Sequence, residues 1–548
     1  MAEDTSMQLA VFQERSILRL LEEIPNSGTI ITAGTGSGKT LAYYLPILLR
    51  VGDLIQANNY WVKALSIYPR TELLKDQLAE TFKRSRMLDQ ALIDNSKRPI
   101  LMGAFFGSTP TKADNNSVKN KWDRLRGAFH CPWFSCPQCG GDLIWRDKDL
   151  NNQLERLNCI QASCDTIVDD TQLVLTRSSL AKNPPDLLFT TTEMLNQRMS
   201  DIEYRKLFGL GQRRDQKPHF ILLDEAHTYA GINGAQAALV LRRWRHLLNA
   251  PVTWCGLSAT LNEGTRFFSE LVGVKTESVL EIKPETEELE KEGAEYQIIL
   301  KGDPTLSASI LSTSIQSAML SARMLDPTRE RNPISEGYFG KRLFIFTDDL
   351  DVTNRLFDNI CDAEENLHLA ALRGRGNDDN QRDAEGQRWR ACEKIGHDLE
   401  DNLIVGRTSS QDTGVHINAN VIVATAALEV GYDDEDVGAV LQHKAPRSYA
   451  SFLQRKGRSG RTRGMRPITV TILSEYGRDR VSFQNYEHLF DPSVPYLPLP
   501  IQNQYVLRIQ AVYSLIDWLA TRINNNQIQF GWLWNVLSKP AENKFDKN

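Results

Sequence analysis

The segment Ala33-Gly34-Thr35-Gly36-Ser37-Gly38-Lys39-Thr40 follows directly on an apolar run, Gly28–Thr32. Glycines at alternate positions let successive backbone N–H groups converge on a polyphosphate. A helix opening at the end of such a loop points its positive terminus at the anion. In this arrangement Lys39 reaches the β- and γ-phosphates and Thr40 holds Mg²⁺ through its hydroxyl. A second apolar run, Phe220–Leu223, delivers Asp224-Glu225-Ala226-His227. A strand ending in two carboxylates places them at the mouth of an α/β sheet, where phosphates bind. Asp224 suits Mg²⁺ and Glu225 suits polarising an attacking water. An apolar run ending in Asp-Glu is common by itself. Paired with the glycine-rich loop upstream it becomes a signature of ATP hydrolysis, with ATP and Mg²⁺ as cofactors. His227 reads as a coupling element beside the carboxylates rather than as a base.

Cysteines supply a second chemistry. Five of the eight lie between Cys131 and Cys164. Cys136-Pro-Gln-Cys139-Gly-Gly has the turn of a zinc knuckle, and Cys159 and Cys164 supply a second pair further on. Four thiolates at that separation fit one tetrahedral Zn²⁺ in a ribbon. Cys131, or His130 before it, competes for a place in the first pair. Trp133, Phe134 and Trp145 are expected to pack the small core of the ribbon rather than to stack on bases. A secreted disulfide scaffold would be shorter and would spread its pairs.

From Leu441 to Pro467 the chain carries Lys444, Arg447, Arg455, Lys456, Arg458, Arg461, Arg463 and Arg466 and no acidic residue. A solvated basic face is the simpler reading. The regular glycine spacing favours arginines that reach a γ-phosphate, with some of the other charges on a nucleic-acid backbone.

These residues need two α/β halves to position them. Over residues 1–280, β-branched runs at Gly28–Ala33, Ala64–Tyr68, Leu187–Thr190 and Phe220–Leu223 alternate with longer helical patterns, which predicts a parallel sheet. Residues 336–490 repeat the theme at Leu343–Phe346, Leu403–Val405, Val421–Ala424 and Ile468–Ile472. The cysteine segment, 128–170, reads as an insertion in the first half. The Glu- and Lys-rich stretch within 281–335 reads as a linker. Residues 491–548 read as a C-terminal extension, with an amphipathic helix over Val506–Ile523.

Composition sets the outer limits. The chain has 548 residues, of which 41% are hydrophobic and 24% charged, enough to bury ordinary cores. Lys and Arg number 64 against 69 Asp and Glu, a net charge of −5, which excludes a globally basic coat protein but not a local basic groove. No run of about 18 apolar residues appears. The first residues lack the basic-then-apolar pattern of a signal peptide. A cytoplasmic protein with no membrane partner is the expectation.

The loop and Asp-Glu-Ala-His together resemble a superfamily 2 helicase, and the further motifs of that family follow in order. Phe12-Gln13 resembles the adenine-reading glutamine motif. Pro69-Arg70-Thr71 and Pro185–Leu195, with Thr192 in it, resemble strand-binding motifs of the first lobe. Ser258-Ala259-Thr260 resembles the third motif, and Phe344–Thr347 the fourth. Ala424-Thr425 through Glu429, Gly431 and Asp433 resembles the fifth, and Gln454-Arg455-Lys456-Gly457-Arg458-Ser459-Gly460-Arg461 the sixth. The resemblance spans about residues 12–463 and implies two RecA-like lobes with ATP in the cleft between them and nucleic acid across their tops. It assigns Gln13 and Asp433 to the nucleotide and Gln454 to positioning water or nucleotide. Arg458 and Arg461 become arginine fingers, and Arg70, Thr71, Thr192, Thr347 and Thr425 contact nucleic acid. Asp224–Gly234 followed by Leu241–Arg245 is similar to DEAH-type DNA helicases related to the RecQ-like and mitomycin-repair branches. Leu428–Arg480 resembles large helicases of bacterial phage-defence and DNA-modification clusters. That branch implies a DNA substrate, single-stranded or partly duplex, 3′→5′ polarity and protein partners in a multi-subunit system. An RNA helicase or remodeller, a non-unwinding DNA translocase subunit and a recruitment subunit with a decayed ATPase are the alternatives. The intact Lys39, Asp224, Glu225, Arg458 and Arg461 count against the last.

Overall fold

The computed structural model describes residues 8–34, 37–56, 59–259, 261–288, 293–302, 309–327, 335–374, 387–408, 418–425, 428, 434–491, 494–496 and 498–525. The chain divides into two units, residues 1–288 with 495–548, and residues 289–494.

The first unit is built on an eight-stranded, all-parallel sheet. Its strands run in the order Val279–Ile282, Gly28–Thr32, Thr253–Ser258, Phe220–Leu223, Ala64–Tyr68, Leu187–Thr191, Met102–Phe105, Leu173–Val174. The central strands are buried at every position, as helices on both faces of a parallel sheet require. At one end of this sheet Lys63 and Asp186 form a fully buried pair at 2.6 Å. Asp186 also accepts from Arg98 at 2.8 Å and from the Leu101 amide at 2.9 Å, so neighbouring strands share one satisfied polar anchor.

The cysteine segment leaves this sheet after Met102–Phe105 and returns at Leu173–Val174. Between them lies a separate antiparallel sheet of five short strands, Arg124–Leu125, Ala128–His130, Leu143–Arg146, Arg156–Cys159 and Ile167–Asp169. Its aromatic residues pack, as expected. Trp145 is fully buried against Trp122, Trp122 meets Trp133, Trp133 meets Phe106, and Phe134 meets Phe82. Through Phe106 and Phe82 this chain of rings fastens the insertion to the first lobe.

The second unit carries a six-stranded parallel sheet, in the order Tyr296–Lys301, Ile468–Leu473, Val437–His443, Arg342–Phe346, Val421–Ala424, Val405–Thr408. Residues 281–335, expected as a linker, supply elements of both units. Val279–Ile282 closes an edge of the first sheet, Tyr296–Lys301 forms an edge of the second, and helix Ile310–Arg323 packs on that second sheet. Edge strands show only partial burial, so the weak apolar signal of Tyr296–Lys301 is what an edge produces.

The C-terminal segment is likewise part of the first unit. Helix Gln504–Asn525 packs on helix Gly231–Leu248. There Asp517 and Arg243, both buried, pair at 2.6 Å. Asn196 and Gln510 each accept a further bond from Arg243 at 2.7 Å, and Ser200 donates to Asp517 at 2.7 Å. Asp517→Ala is expected to cost about 3 kcal/mol, because it strands a buried guanidinium. A clear fall in the denaturation midpoint checks this, and an unchanged midpoint refutes it.

Candidate functional site

The phosphate loop lies at the C-terminal end of strand Gly28–Thr32 and opens helix Lys39–Leu54. Gly38 has φ +78°, in the left-handed region open to glycine, and a Cβ there would lie 2.4 Å from the Gln13 amide nitrogen. Glycine at this position therefore leaves room for the Gln13 side chain. Its amide donates to the Gly38 carbonyl at 3.1 Å and accepts from the Ala10 amide at 2.9 Å. Ser37 Oγ donates to Gly34 at 2.8 Å. Lys39 Nζ donates to the Ala33 carbonyl at 2.6 Å, and Thr40 lies in the first turn of the helix. Burial holds the Lys39 ammonium below its ordinary pKa, while the charges of Glu225 and Asp224 act the other way. No side chain caps that helix, which leaves its first amides to a ligand. Thr35 and Gly36 lie outside the described residues.

Asp224 and Glu225 follow strand Phe220–Leu223, two positions along the sheet from the loop strand. Asp224 is only 5% exposed. Burial, with the adjacent Glu225 charge, pushes its carboxyl up to about 7, partly opposed by the Glu225 amide, which donates to it at 2.7 Å, and by Lys39. A buried carboxylate beside a second, partly exposed one favours a cation next to them. Glu225 sits at φ +46°, a conformation rare for non-glycine residues and held here because Thr228 donates to its carbonyl through both N–H, at 2.8 Å, and hydroxyl, at 2.7 Å. His227 Nδ1 accepts from the Ala259 amide at 3.2 Å and lies 3.1 Å from Ser258 Oγ and 3.4 Å from Glu225. Burial lowers its pKa, and the Glu225 charge acts the other way. His227 thus lies between Glu225 and Ser258-Ala259. Thr260 lies outside the described residues.

On the same lobe a cavity of about 740 Å³ has Pro69, Thr71 and Thr192 in its wall. Thr71 and Thr192 each open a helix that follows a strand of the sheet, Ala64–Tyr68 and Leu187–Thr191. Arg70 stands at the N-cap of the Thr71 helix and is half-buried. Tyr229, Asn233, Gln236 and Gln510 also line this cavity. None of the four is among the residues the helicase motifs assign. The signal for two of them is Asn233 and Gln236 set one turn apart in the otherwise apolar first half of the helix.

In the second unit, Gln454 and Arg455 are buried on helix Tyr449–Lys456, and Arg458 and Arg461 follow in the glycine-containing loop. Arg461 lines a separate cavity with Gly460 and Arg463. Arg455 is no backbone contact: it pairs with Asp348 at 2.7 Å, donates to Gln442 at 2.8 Å and covers the Phe346 ring. Thr347 corrects another expectation. It is fully buried and its hydroxyl is taken up by the Asp349 carbonyl at 2.9 Å and by Thr353 at 2.6 Å. That hydroxyl fixes the turn into helix Leu350–Cys361 and is not presented to nucleic acid. Thr425 is half-buried at the end of strand Val421–Ala424, and Asp433, Glu429 and Gly431 lie outside the described residues.

Sγ atoms of Cys136, Cys139, Cys159 and Cys164 all lie within 4.8 Å of one another, with the closest pairs at 3.7 and 3.4 Å. Sulfurs at about 2.3 Å from a tetrahedral Zn²⁺ are separated by roughly 3.8 Å. The donor set therefore fits zinc. Gly140, at φ +72°, turns the knuckle, and its amide donates to the Cys136 carbonyl at 2.9 Å. Cys131 is outside this cluster, a buried thiol that burial pushes up to about 11.

Comparison with known proteins gives two family matches, to the DEAD/DEAH box helicase family over residues 11–121 and to the helicase conserved C-terminal domain over residues 409–463. These are the two halves of a DEAD/DEAH-box helicase core, and ATP hydrolysis is the chemistry such domains support. The chain is 27% identical over 304 residues to Druantia protein DruE of Escherichia coli strain UMEA 4076-1, covering 46% of this chain and 16% of that protein. It is 25% identical over 296 residues to the Lhr helicase/uracil glycosylase of Escherichia coli K12, covering 52% and 18%. The aligned stretch is thus less than a fifth of either relative. In fold it is similar to the helicase Lhr of Mycobacterium smegmatis bound to ssDNA and AMP-PNP, with TM-score 0.55, 18% identity and 92% and 51% of the two chains covered. It is also similar to the DUF1998 helicase MrfA bound to DNA, with TM-score 0.54, 14% identity, 94% and 53% covered. A third is Mss116p bound to ssRNA and AMP-PNP, with TM-score 0.51, 16% identity, 97% and 82% covered. Among the described residues no helix is long and apolar enough to cross a membrane.

Proposed function

We propose that this protein uses ATP hydrolysis to translocate along or unwind nucleic acid, with DNA the favoured substrate and 3′→5′ the favoured polarity. The observation that carries this reading is the placing of Lys39, Asp224 and Glu225 on one sheet whose neighbouring strands lead to Thr71 and Thr192 at a common cavity. Gln13 and Gly34–Thr40 hold the nucleotide, with Thr40 and Asp224 on Mg²⁺. Glu225 orients the attacking water. Gln454, Arg458 and Arg461 are assigned to the nucleotide by the sixth motif and Asp433 by the fifth. Arg70, Thr71, Thr192 and Thr425 hold the strand.

Similarity to two helicases solved with DNA supports the DNA reading, and Mss116p with ssRNA keeps RNA as the second. A place in genome maintenance or in a multi-subunit phage-defence or DNA-modification system belongs to the same proposal, on the resemblance of Leu428–Arg480 to helicases of such clusters. The deciding experiment measures ATPase stimulation by single-stranded DNA against RNA, and strand displacement on duplexes with 3′ or 5′ tails. Stimulation by RNA alone overturns the DNA reading, and stimulation by neither overturns the whole.

The four-cysteine cluster is proposed as a structural Zn²⁺ site. A sheet of strands two to four residues long buries little by itself, and metal binding supplies folding free energy directly. Elemental analysis is expected to find one zinc per chain. Cys139→Ser or Cys164→Ser is expected to release it and to expose the insertion to protease while ATP binding survives. Well under one zinc per chain in the wild-type protein refutes the site.

A further inference from the structure

The cavity that holds Thr71 and Thr192 has a wall that gripping phosphates does not use. Asn196 and Gln510 there accept from Arg243 and Gln197 donates to Glu193, and further polar surface comes from helix Gly231–Leu248 and the turn before it. Asn233 and Gln236 stand one turn apart on that helix, so they share a face. Among the described residues neither side-chain amide has a hydrogen-bond partner. Tyr229, 5% exposed, also lines the cavity, and its hydroxyl has no partner there either. Gly234 brings these groups together: a Cβ at that position would lie 2.2 Å from the Tyr229 carbonyl oxygen.

Cations of the same cavity are engaged elsewhere. Arg177 donates to the carbonyls of Thr109, at 3.0 Å, and Phe106, at 3.2 Å, and Arg198 pairs with Asp201 at 3.0 Å. Lys121 is the remaining one and is exposed. Phosphate contacts call for charge and carry no base information, whereas carboxamides present a donor and an acceptor side by side and match the edges of bases. A volume of about 740 Å³ is within the range of pockets that accept nucleotide-sized groups.

We propose that this cavity takes bases of the bound single strand, with Asn233 and Gln236 hydrogen-bonding base edges and Tyr229 supplying a third polar contact, while Thr71 and Thr192 follow the backbone. The proposal rests on the nucleic-acid reading above and adds base recognition to it.

The test is fluorescence anisotropy of the full chain with a single-stranded DNA oligonucleotide and an abasic strand of equal length and phosphate number. Wild-type protein is expected to prefer the base-bearing strand by about tenfold. The double variant Asn233→Ala, Gln236→Ala is expected to reduce that preference below about twofold, through weaker binding of the base-bearing strand. Tyr229→Phe, which changes the shape least, is expected to reduce it by about threefold. Equal binding of both strands by wild-type protein overturns the base pocket and leaves the helicase reading standing. Full preference retained in a folded double variant, or in Tyr229→Phe should the double variant fail to fold, also overturns it. Binding of neither strand by wild-type protein overturns the nucleic-acid reading and the pocket with it.

Discussion

Glu225→Gln is expected to lower ATP turnover by about a thousandfold while ATP affinity stays within a few fold of wild type. Glutamine keeps the size and shape of the side chain but no longer accepts a proton from water. The backbone argument sharpens this expectation. Glu225 is held at φ +46° by two bonds from Thr228, so its side chain is aimed by the fold rather than by its ligand. A substitution that preserves those bonds removes the chemistry alone. Lys39→Ala acts earlier, since the ammonium that meets the phosphates is lost, and is expected to abolish binding at ordinary ATP concentrations. Single-turnover hydrolysis and equilibrium binding of a nucleotide analogue separate the two variants. Near-normal turnover in Glu225→Gln would sink the assignment of the water-orienting carboxylate.

Arg458→Ala and Arg461→Ala are expected to lower turnover at saturating ATP by about 10³-fold, with much smaller losses of nucleotide affinity. The reason is differential binding: a guanidinium that engages charge developing on the transferred phosphoryl group stabilises the transition state more than the ground state. Arg455→Ala is the informative contrast. That arginine is buried against Phe346 and paired with Asp348, so its loss is expected to lower the stability of the second lobe. If Arg458→Ala or Arg461→Ala weakened nucleotide binding while leaving turnover intact at saturation, the finger assignment would be wrong.

The division between what the residues announced and what the fold had to reveal follows physical lines. Local chemistry was legible. The phosphate loop, the Asp-Glu pair and the cysteine spacing are each set by a few adjacent residues whose types permit little else. Buried parallel strands were legible for a similar reason: Ala64–Tyr68, Phe220–Leu223 and Val421–Ala424 read as continuous apolar runs because both their faces are covered. The edge strand Tyr296–Lys301 reads as linker, and the boundary at 280/281 cuts through the edge strand Val279–Ile282, because half-covered strands keep polar residues. Met102–Phe105, a short strand with glycine in it, also escaped.

Tertiary structure decided the rest, because it depends on partners distant in the chain. Motif membership alone placed Thr347 on nucleic acid and left Arg455 free to face it. Burial assigns the first to a helix-opening turn and the second to an internal ion pair. The C-terminal helix belongs to the first lobe because Asp517 meets Arg243 across 274 positions of sequence. Asn233, Gln236 and Tyr229 become a wall only when the helix after the carboxylates is set beside the threonines of two other strands. Adjacent residues fixed the chemistry this protein can perform, and long-range packing selected which side chains are left to meet a ligand, since only packing determines which polar groups already have partners.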